Sequence, residues 1–188
     1  MTIDPPDAGV SPRADPDPER EVTADALADD AAATYGAEDD AHATSDGLDG
    51  YEQVRFVDVV MALPSTNPTV LLEEVSPPCR VLRIPIGLQE GAAIAYASRG
   101  IPTAKPLTHE LFVSVLESFG LTVDFVRITS VHKSSFSGEL VLSGPRGSRT
   151  LACRPSDGIA LALRQRLGAP IMVAPDVLDE VGVEPGTS

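Results

Sequence analysis

A chain of 188 residues with 28 acidic and 14 basic side chains, net charge −14, has room for one ordinary domain and a separate piece. Residues 1–50 carry 14 acidic and 2 basic side chains, a net −12, whereas residues 51–188 carry 14 and 12, a net −2, so the acidity belongs to the N-terminal stretch. No apolar run approaches ~18 residues, no apolar signal segment follows Met1, and Cys79 and Cys153 lie outside any CxxC or His-paired spacing; a spanning helix and a disulfide framework are excluded, and a cytoplasmic protein with reduced thiols is expected.

The stretch 1–50 has too few large apolar residues to offset chain entropy and is expected to be a disordered acidic tail, with weak helical tendency over residues 22–33 and no apolar face. A folded part of residues 51–188 buries roughly two-thirds of its unfolded surface, enough for a core without metal or disulfide. Its first strand is the run Val54, Phe56, Val57, Val59, Val60, Met61, closed by turn formers at 63–68. Strands follow at 69–75 and 80–86, the latter with Leu82, Ile84 and Ile86 on one face and Pro85 placing it at a sheet edge.

Residues 87–100 read as a helix of small residues closed by Gly100, whose Ala92, Ala93, Ala95 and Ala97 offer a face for a partner subunit. Thr108 is the expected N-cap of a second helix, with Leu107 stapled against Phe112, an apolar stripe of Leu111, Phe112, Val115, Leu116 and Phe119, and Gly120 as its stop. Strands at 121–129 and 135–143 follow, and the connection 144–147 makes a hairpin with the strand 148–153. A helix over 156–167 stops at Gly168; a short strand at 171–173 and a short helix at 175–181 complete the order βββ, αα, βββ, α, β, α. Strands clustered in this way specify an α+β fold with a mixed, mostly antiparallel sheet and three main helices.

The period switches from strand to helix at Cys153-Arg154-Pro155-Ser156-Asp157-Gly158. Ser156 and Asp157 suit capping and the helix dipole; alternatively, with Arg154, they suit a phosphate or a metal-bound water at a helix N-terminus. No GxGxxG, GxxxxGK[ST], HExxH or GxSxG occurs, so dinucleotide, P-loop, zincin and hydrolase-elbow chemistries lack support. Glu90, and His109 with Glu110, fall in first helical turns, where dipole compensation is the plain alternative to a site, and His132 and Lys133 read as an ordinary solvated turn. Seven basic residues from Arg127 to Arg166, against Glu139 and Asp157, give a local +5 that would attract a phosphate backbone if they share a face.

Four motifs carry a resemblance: Leu63-Pro64-Ser65-Thr66-Asn67-Pro68-Thr69-Val70-Leu71-Leu72; Ile84-Pro85-Ile86-Gly87 with Glu90; Pro106-Leu107-Thr108-His109-Glu110-Leu111; and Arg154-Pro155-Ser156-Asp157 followed by Ile159-Ala160-Leu161-Ala162 and Pro170-Ile171. In this order they resemble the bifunctional nuclease domain family over residues 54–183. The resemblance implies a compact, commonly homo-oligomeric α+β domain that cleaves DNA and RNA with low sequence preference. Gly91 and Gly158 stand where that family usually has Ala, which costs up to about 1 kcal/mol in a first helical turn.

Two function classes follow. In a phosphodiesterase, Glu90, Glu110 and Asp157 would bind Mg²⁺ or Mn²⁺ and act catalytically, His109 would be general acid or base, and Arg154 with Ser156 would bind the substrate phosphate. In a non-catalytic regulatory or ligand-binding module the same polar corner would serve recognition.

Overall fold

The structure is a computed structural model that describes residues 48–61, 66–101, 103–166 and 168–186. The acidic tail, loop residues 63–65 and Leu167, where the helix expected over 156–167 was to end, lie outside the described residues. Among the described residues eleven elements occur in the expected order: β1 (Glu52–Val60), β2 (Thr69–Glu74), β3 (Val81–Pro85), α1 (Leu88–Ser98), α2 (Thr108–Ser118), β4 (Thr122–His132), β5 (Ser135–Gly144), β6 (Gly147–Cys153), α3 (Pro155–Arg164), β7 (Ile171–Val173) and α4 (Pro175–Val181). Among the described residues there are four helices, three of ten or eleven residues and α4 of seven.

The strands form one seven-stranded sheet in the order β3-β2-β1-β7-β4-β5-β6. Two antiparallel meanders, β1–β3 and β4–β6, are joined by β7, which runs antiparallel to β1 and parallel to β4. Pro85, which has no N–H for a ladder, does end an edge strand. The register puts Val54, Ile171, Val126 and Leu140 in one row on the core face. Val70, Leu72, Leu82, Ile84, Ile159, Val177 and Leu178 join the same core. On the opposite face the row is Gln53, Met172, Arg127, Glu139, Ala152.

Helix α3 enters the core almost whole, with residues 158–162 buried, and it packs against β4, β5, α1 and α2. Small side chains make that approach possible. A methyl group on Gly158 would stand 2.7 Å from Val126 Cγ1 and 3.3 Å from Cys153 Sγ, and one on Gly91 would stand 2.8 Å from Pro68 Cγ. Both glycines therefore give up helix propensity for close packing, since overfilling a core costs about 1–3 kcal/mol and the propensity gain is at most about 1 kcal/mol.

The structure corrects two expectations about α2. Its N-cap is Leu107, in extended backbone, and Thr108 is already helical. The residues turned to the core are Val113 and Leu116, while Leu111, Phe112, Val115 and Phe119 are exposed, Phe119 by 72%. Helical spacing marked the apolar face but could not say which neighbour it meets. In α1 it is Gly91, Ile94 and Ala97 that are buried, so Ala97 is not free for a partner.

A buried ion pair ties the C-terminal part to the first meander. Glu74, 3% exposed, accepts from Arg80 through Nε (3.0 Å), Nη2 (2.9 Å) and the backbone N–H (3.1 Å), and Arg80 Nη1 also pairs with Asp179 of α4. Val81 and Val183 form a β-bridge beside it.

Candidate functional site

The first turns of three helices carry the polar residues singled out in the sequence. Glu90, Glu110 and Asp157 are each the third residue of their helix, and His109 is the second of α2. Helix α3 starts at Pro155, whose fixed φ suits a first helical position, after Arg154 in extended backbone (φ −72°, ψ 141°). No side chain caps this helix by hydrogen bonding.

Asp157 turns sideways instead, into a chain of charges. Arg154 donates Nε to Asp157 Oδ2 (2.8 Å), Nη2 to Oδ1 (3.0 Å) and Nη1 to Glu90 Oε1 (2.7 Å). His109 Nε2 lies 3.2 Å from Asp157 Oδ1. Burial pushes the Asp157 carboxyl up, but the hydrogen bonds and charges of Arg154 and His109 together outweigh it and hold the pKa below the usual aspartate value. An ionised carboxylate only accepts, so His109 carries its proton on Nε2 and leaves Nδ1 as the other ring nitrogen. Gly87 permits the Glu90 position: an added Cβ would fall 2.2 Å from Glu90 Oε2.

Glu110 belongs to a second cluster. Its Oε1 pairs with Arg164 near the end of α3, and its Oε2 accepts from the Leu107 N–H (2.7 Å) and from Thr103 Oγ1. Thr103 first, then Leu107 and Arg164, hold this carboxyl below its ordinary pKa. The arrangement fixes the start of α2 against the end of α3, and with it the position of His109.

In front of the Glu90–Arg154 contact opens a cleft of about 380 Å³, formed by residues 84–87, Glu90, residues 133–136 and residues 154–156. Ser156 is 7% exposed and contributes to its wall. Glu90, Arg154 and Ser156 thus meet at the cleft, Asp157 and His109 stand in the network attached to it, and Glu110 is held apart by Arg164. Sequence reasoning gives Lys133 only as one of the seven basic residues and as an ordinary solvated turn position, whereas the two-residue turn between His132 and Ser135 brings it to the cleft rim. The available signal was the pair of strand-like runs with only Lys133 and Ser134 between them. Arg164 enters the sequence reading only as part of that positive charge, because its partner Glu110 is 54 positions away.

Three of the seven basic residues expected to form a positive field are paired with carboxylates. Arg154 and Arg164 are accounted for above, and Arg127 pairs with Glu139 at 2.7 Å and stacks over Tyr51 and Phe125, on the sheet face away from the core. Cys153, next to the corner, is pushed up to about 11 by burial and then by the Asp157 charge, and stays a thiol.

The carboxylates do not fit the divalent cation that the phosphodiesterase reading would use. The positive charge between Glu90 and Asp157 is already the Arg154 guanidinium, and both Glu110 oxygens are committed. Among the described residues no three His, Cys, Asp or Glu side chains gather as a ligand group.

The sequence profile of the Bifunctional nuclease domain matches residues 70–186, well over half of the chain. The chain belongs to the bifunctional nuclease domain family. Two similar proteins, both described as uncharacterized and from Mycobacterium tuberculosis strains CDC 1551 / Oshkosh and H37Rv, are 34% identical over 131 residues, covering 70% of this chain and 76% of each relative. The bifunctional nuclease match includes every residue of the Glu90–Arg154–Asp157–His109 network and all of the cleft, since residues 84–157 lie wholly within it. Strand β1 precedes the matched span yet pairs with both β2 and β7, so the folded unit of this bifunctional nuclease domain begins earlier. No helix among the described residues is long and apolar enough to cross a membrane.

Proposed function

We propose that the domain hydrolyses phosphodiester bonds of DNA and RNA with little sequence preference, at the cleft where Glu90, Arg154 and Ser156 meet. The observation that carries this reading is the Arg154 guanidinium held between Glu90 and Asp157 at the mouth of that cleft. Of the five N–H donors of an arginine, three are spent on the two carboxylates, leaving two for a phosphate oxygen. Glu90 takes a proton from a water molecule as its oxygen attacks phosphorus; the P–O ester bond breaks, and the leaving oxygen takes up a proton from solvent. Asp157 is a positioning residue that aims the guanidinium, and His109 steadies Asp157. Glu110 acts further back, by holding α2 in place.

The competing reading, a non-catalytic binding module, is favoured by the same pairing, because each carboxylate of the network already has a cationic partner. Purified protein incubated with labelled DNA and RNA strands separates the two. Cleavage of both, falling about tenfold in Arg154→Lys because lysine keeps the charge and loses the fork, supports hydrolysis. Absence of cleavage from wild-type protein freed of contaminating nucleases leaves the binding module.

A homo-oligomer is also proposed, with the exposed α2 face of Leu111, Phe112, Val115 and Phe119 as the contact; an apolar face of this kind marks an association site. Light scattering is expected to return a multiple of the 19.7 kDa chain mass, and Phe119→Asp to lower it toward a single chain. A monomer mass for the wild type across micromolar concentrations rules the contact out.

A further inference from the structure

The cleft has a cation that no carboxylate holds. Lys133 lies on its rim and, among the described residues, makes no ion pair, in contrast to Arg154 opposite. Its backbone is in the left-handed region (φ 48°), as is that of Ser134 (φ 68°), in a two-residue hairpin turn where asparagine and glycine are the unstrained choices. Ser156, 7% exposed, also lines the cleft, and among the described residues its hydroxyl makes no hydrogen bond. The N-cap residues of α1 and α3, Gly87 and Arg154, both line the cleft, so the positive ends of two helices border the same space.

We infer that Lys133, the Ser156 hydroxyl and the N-terminal turns of α1 and α3 form an anion subsite for a phosphate group, and that Lys133, with its donors uncommitted, is its principal cation. Phosphate chemistry fits because the subsite offers a point charge, a hydroxyl donor and helix-end N–H groups together, and the cleft volume is that of a small-ligand site. An unpaired lysine on an exposed turn also explains why a strained backbone persists at this position: the turn carries a side chain that the strain-free residues lack. The inference deepens the phosphodiesterase reading by adding to Arg154 a second set of groups that holds the phosphate. It rests on that reading only for the identity of the substrate, since the subsite would bind phosphate whether or not cleavage follows.

The test reads binding of inorganic phosphate and of a 5′-phosphorylated hexathymidylate by calorimetry, in the full chain, for wild type, Lys133→Met, Ser156→Ala and the double variant Lys133→Asn/Ser134→Gly. Lys133→Met is expected to weaken both probes about tenfold and to reduce the salt slope of the oligonucleotide by about one. Ser156→Ala is expected to weaken them several-fold, the loss of one hydrogen bond to a charged group. The double variant, which relaxes the turn while removing the charge, is expected to lose affinity like Lys133→Met while resisting urea better than wild type, so that lost binding cannot be assigned to a lost fold. Equal phosphate affinity in wild type, Lys133→Met and the double variant overturns the inference, as does a wild type that binds neither probe. Lysine-dependent binding in a protein that cleaves nothing upholds the subsite and overturns the nuclease reading alone. Loss confined to the oligonucleotide, with inorganic phosphate unaffected, overturns the subsite by placing Lys133 on a strand path outside it.

Discussion

Glu90→Gln is expected to cleave DNA and RNA about 10²–10⁴-fold more slowly than wild type, while unfolding at nearly the same urea concentration. Glutamine keeps the shape of the side chain and one oxygen for Arg154 Nη1, but cannot take a proton from water, and general-base catalysis contributes on that scale. Asp157→Asn is its companion. Its amide nitrogen would face the Arg154 fork, which two oxygens now hold at 2.8 and 3.0 Å, and a guanidinium displaced by an ångström costs on the order of 10²-fold. The pair is partly exposed, so the stability loss in Asp157→Asn should stay within about 1 kcal/mol. A Glu90→Gln protein as active as wild type would remove Glu90 from the chemistry, and an unchanged Asp157→Asn would remove the positioning role.

Arg80→Ala is expected to destabilise the fold by about 3–5 kcal/mol, because it strands Glu74, whose side chain is 2% exposed, as an unpaired buried charge. Glu74→Gln is expected to cost less, since it removes the charge that needs the partner. The same pair sets an acid dependence. Hydrogen bonds from Arg80 hold the Glu74 carboxyl below its ordinary pKa, against the opposing effect of burial. A carboxyl whose folded pKa lies below its unfolded one stabilises the fold above the unfolded value, and the contribution is lost as pH falls through the folded value. Wild-type protein should therefore lose stability below the ordinary carboxylate range, and Glu74→Gln should lose less over the same interval. Urea midpoints measured from neutral to acid pH decide it; parallel curves for the two proteins would exclude Glu74 as a source of the acid sensitivity.

Most of the element order was legible because periodicity and turn chemistry are local. Gly100 and Gly120 adopt positive φ just past the ends of α1 and α2, as their positions after apolar runs predicted, and Pro85 marked an edge, whereas α3 ends at Arg164, short of the stop expected at Gly168. The position of β7 was not legible: three residues, Ile171–Val173, carry no sign of lying between β1 and β4. The orientation of α2 escaped for a related reason, since its exposed face is more apolar than its buried one. In the site, the Arg154-Pro155-Ser156-Asp157 corner could be read as phosphate-related, but the choice between capping and ion pairing depended on Glu90, 64 positions earlier. Glu110 shared its helical position with Glu90 and Asp157, and only the contact with Arg164 distinguishes its part. Lys133 looked like any turn lysine until the hairpin placed it beside α3.

The place of β7 has a consequence for how the chain is made. Synthesis delivers the first meander, then the second, and each can close its own hairpins locally while the ribosome is still translating. Their mutual seam needs a strand that arrives only after Pro170, and until then the inner edges of β1 and β4 present unpaired N–H and C=O groups. The nascent protein thus passes through an interval in which two half-sheets coexist without a shared seam, and the final stretch of translation closes both edges in one step. An mRNA truncated before the codon for Ile171 would yield two adhesive edges on one polypeptide, a substrate for quality-control proteases rather than a smaller working domain.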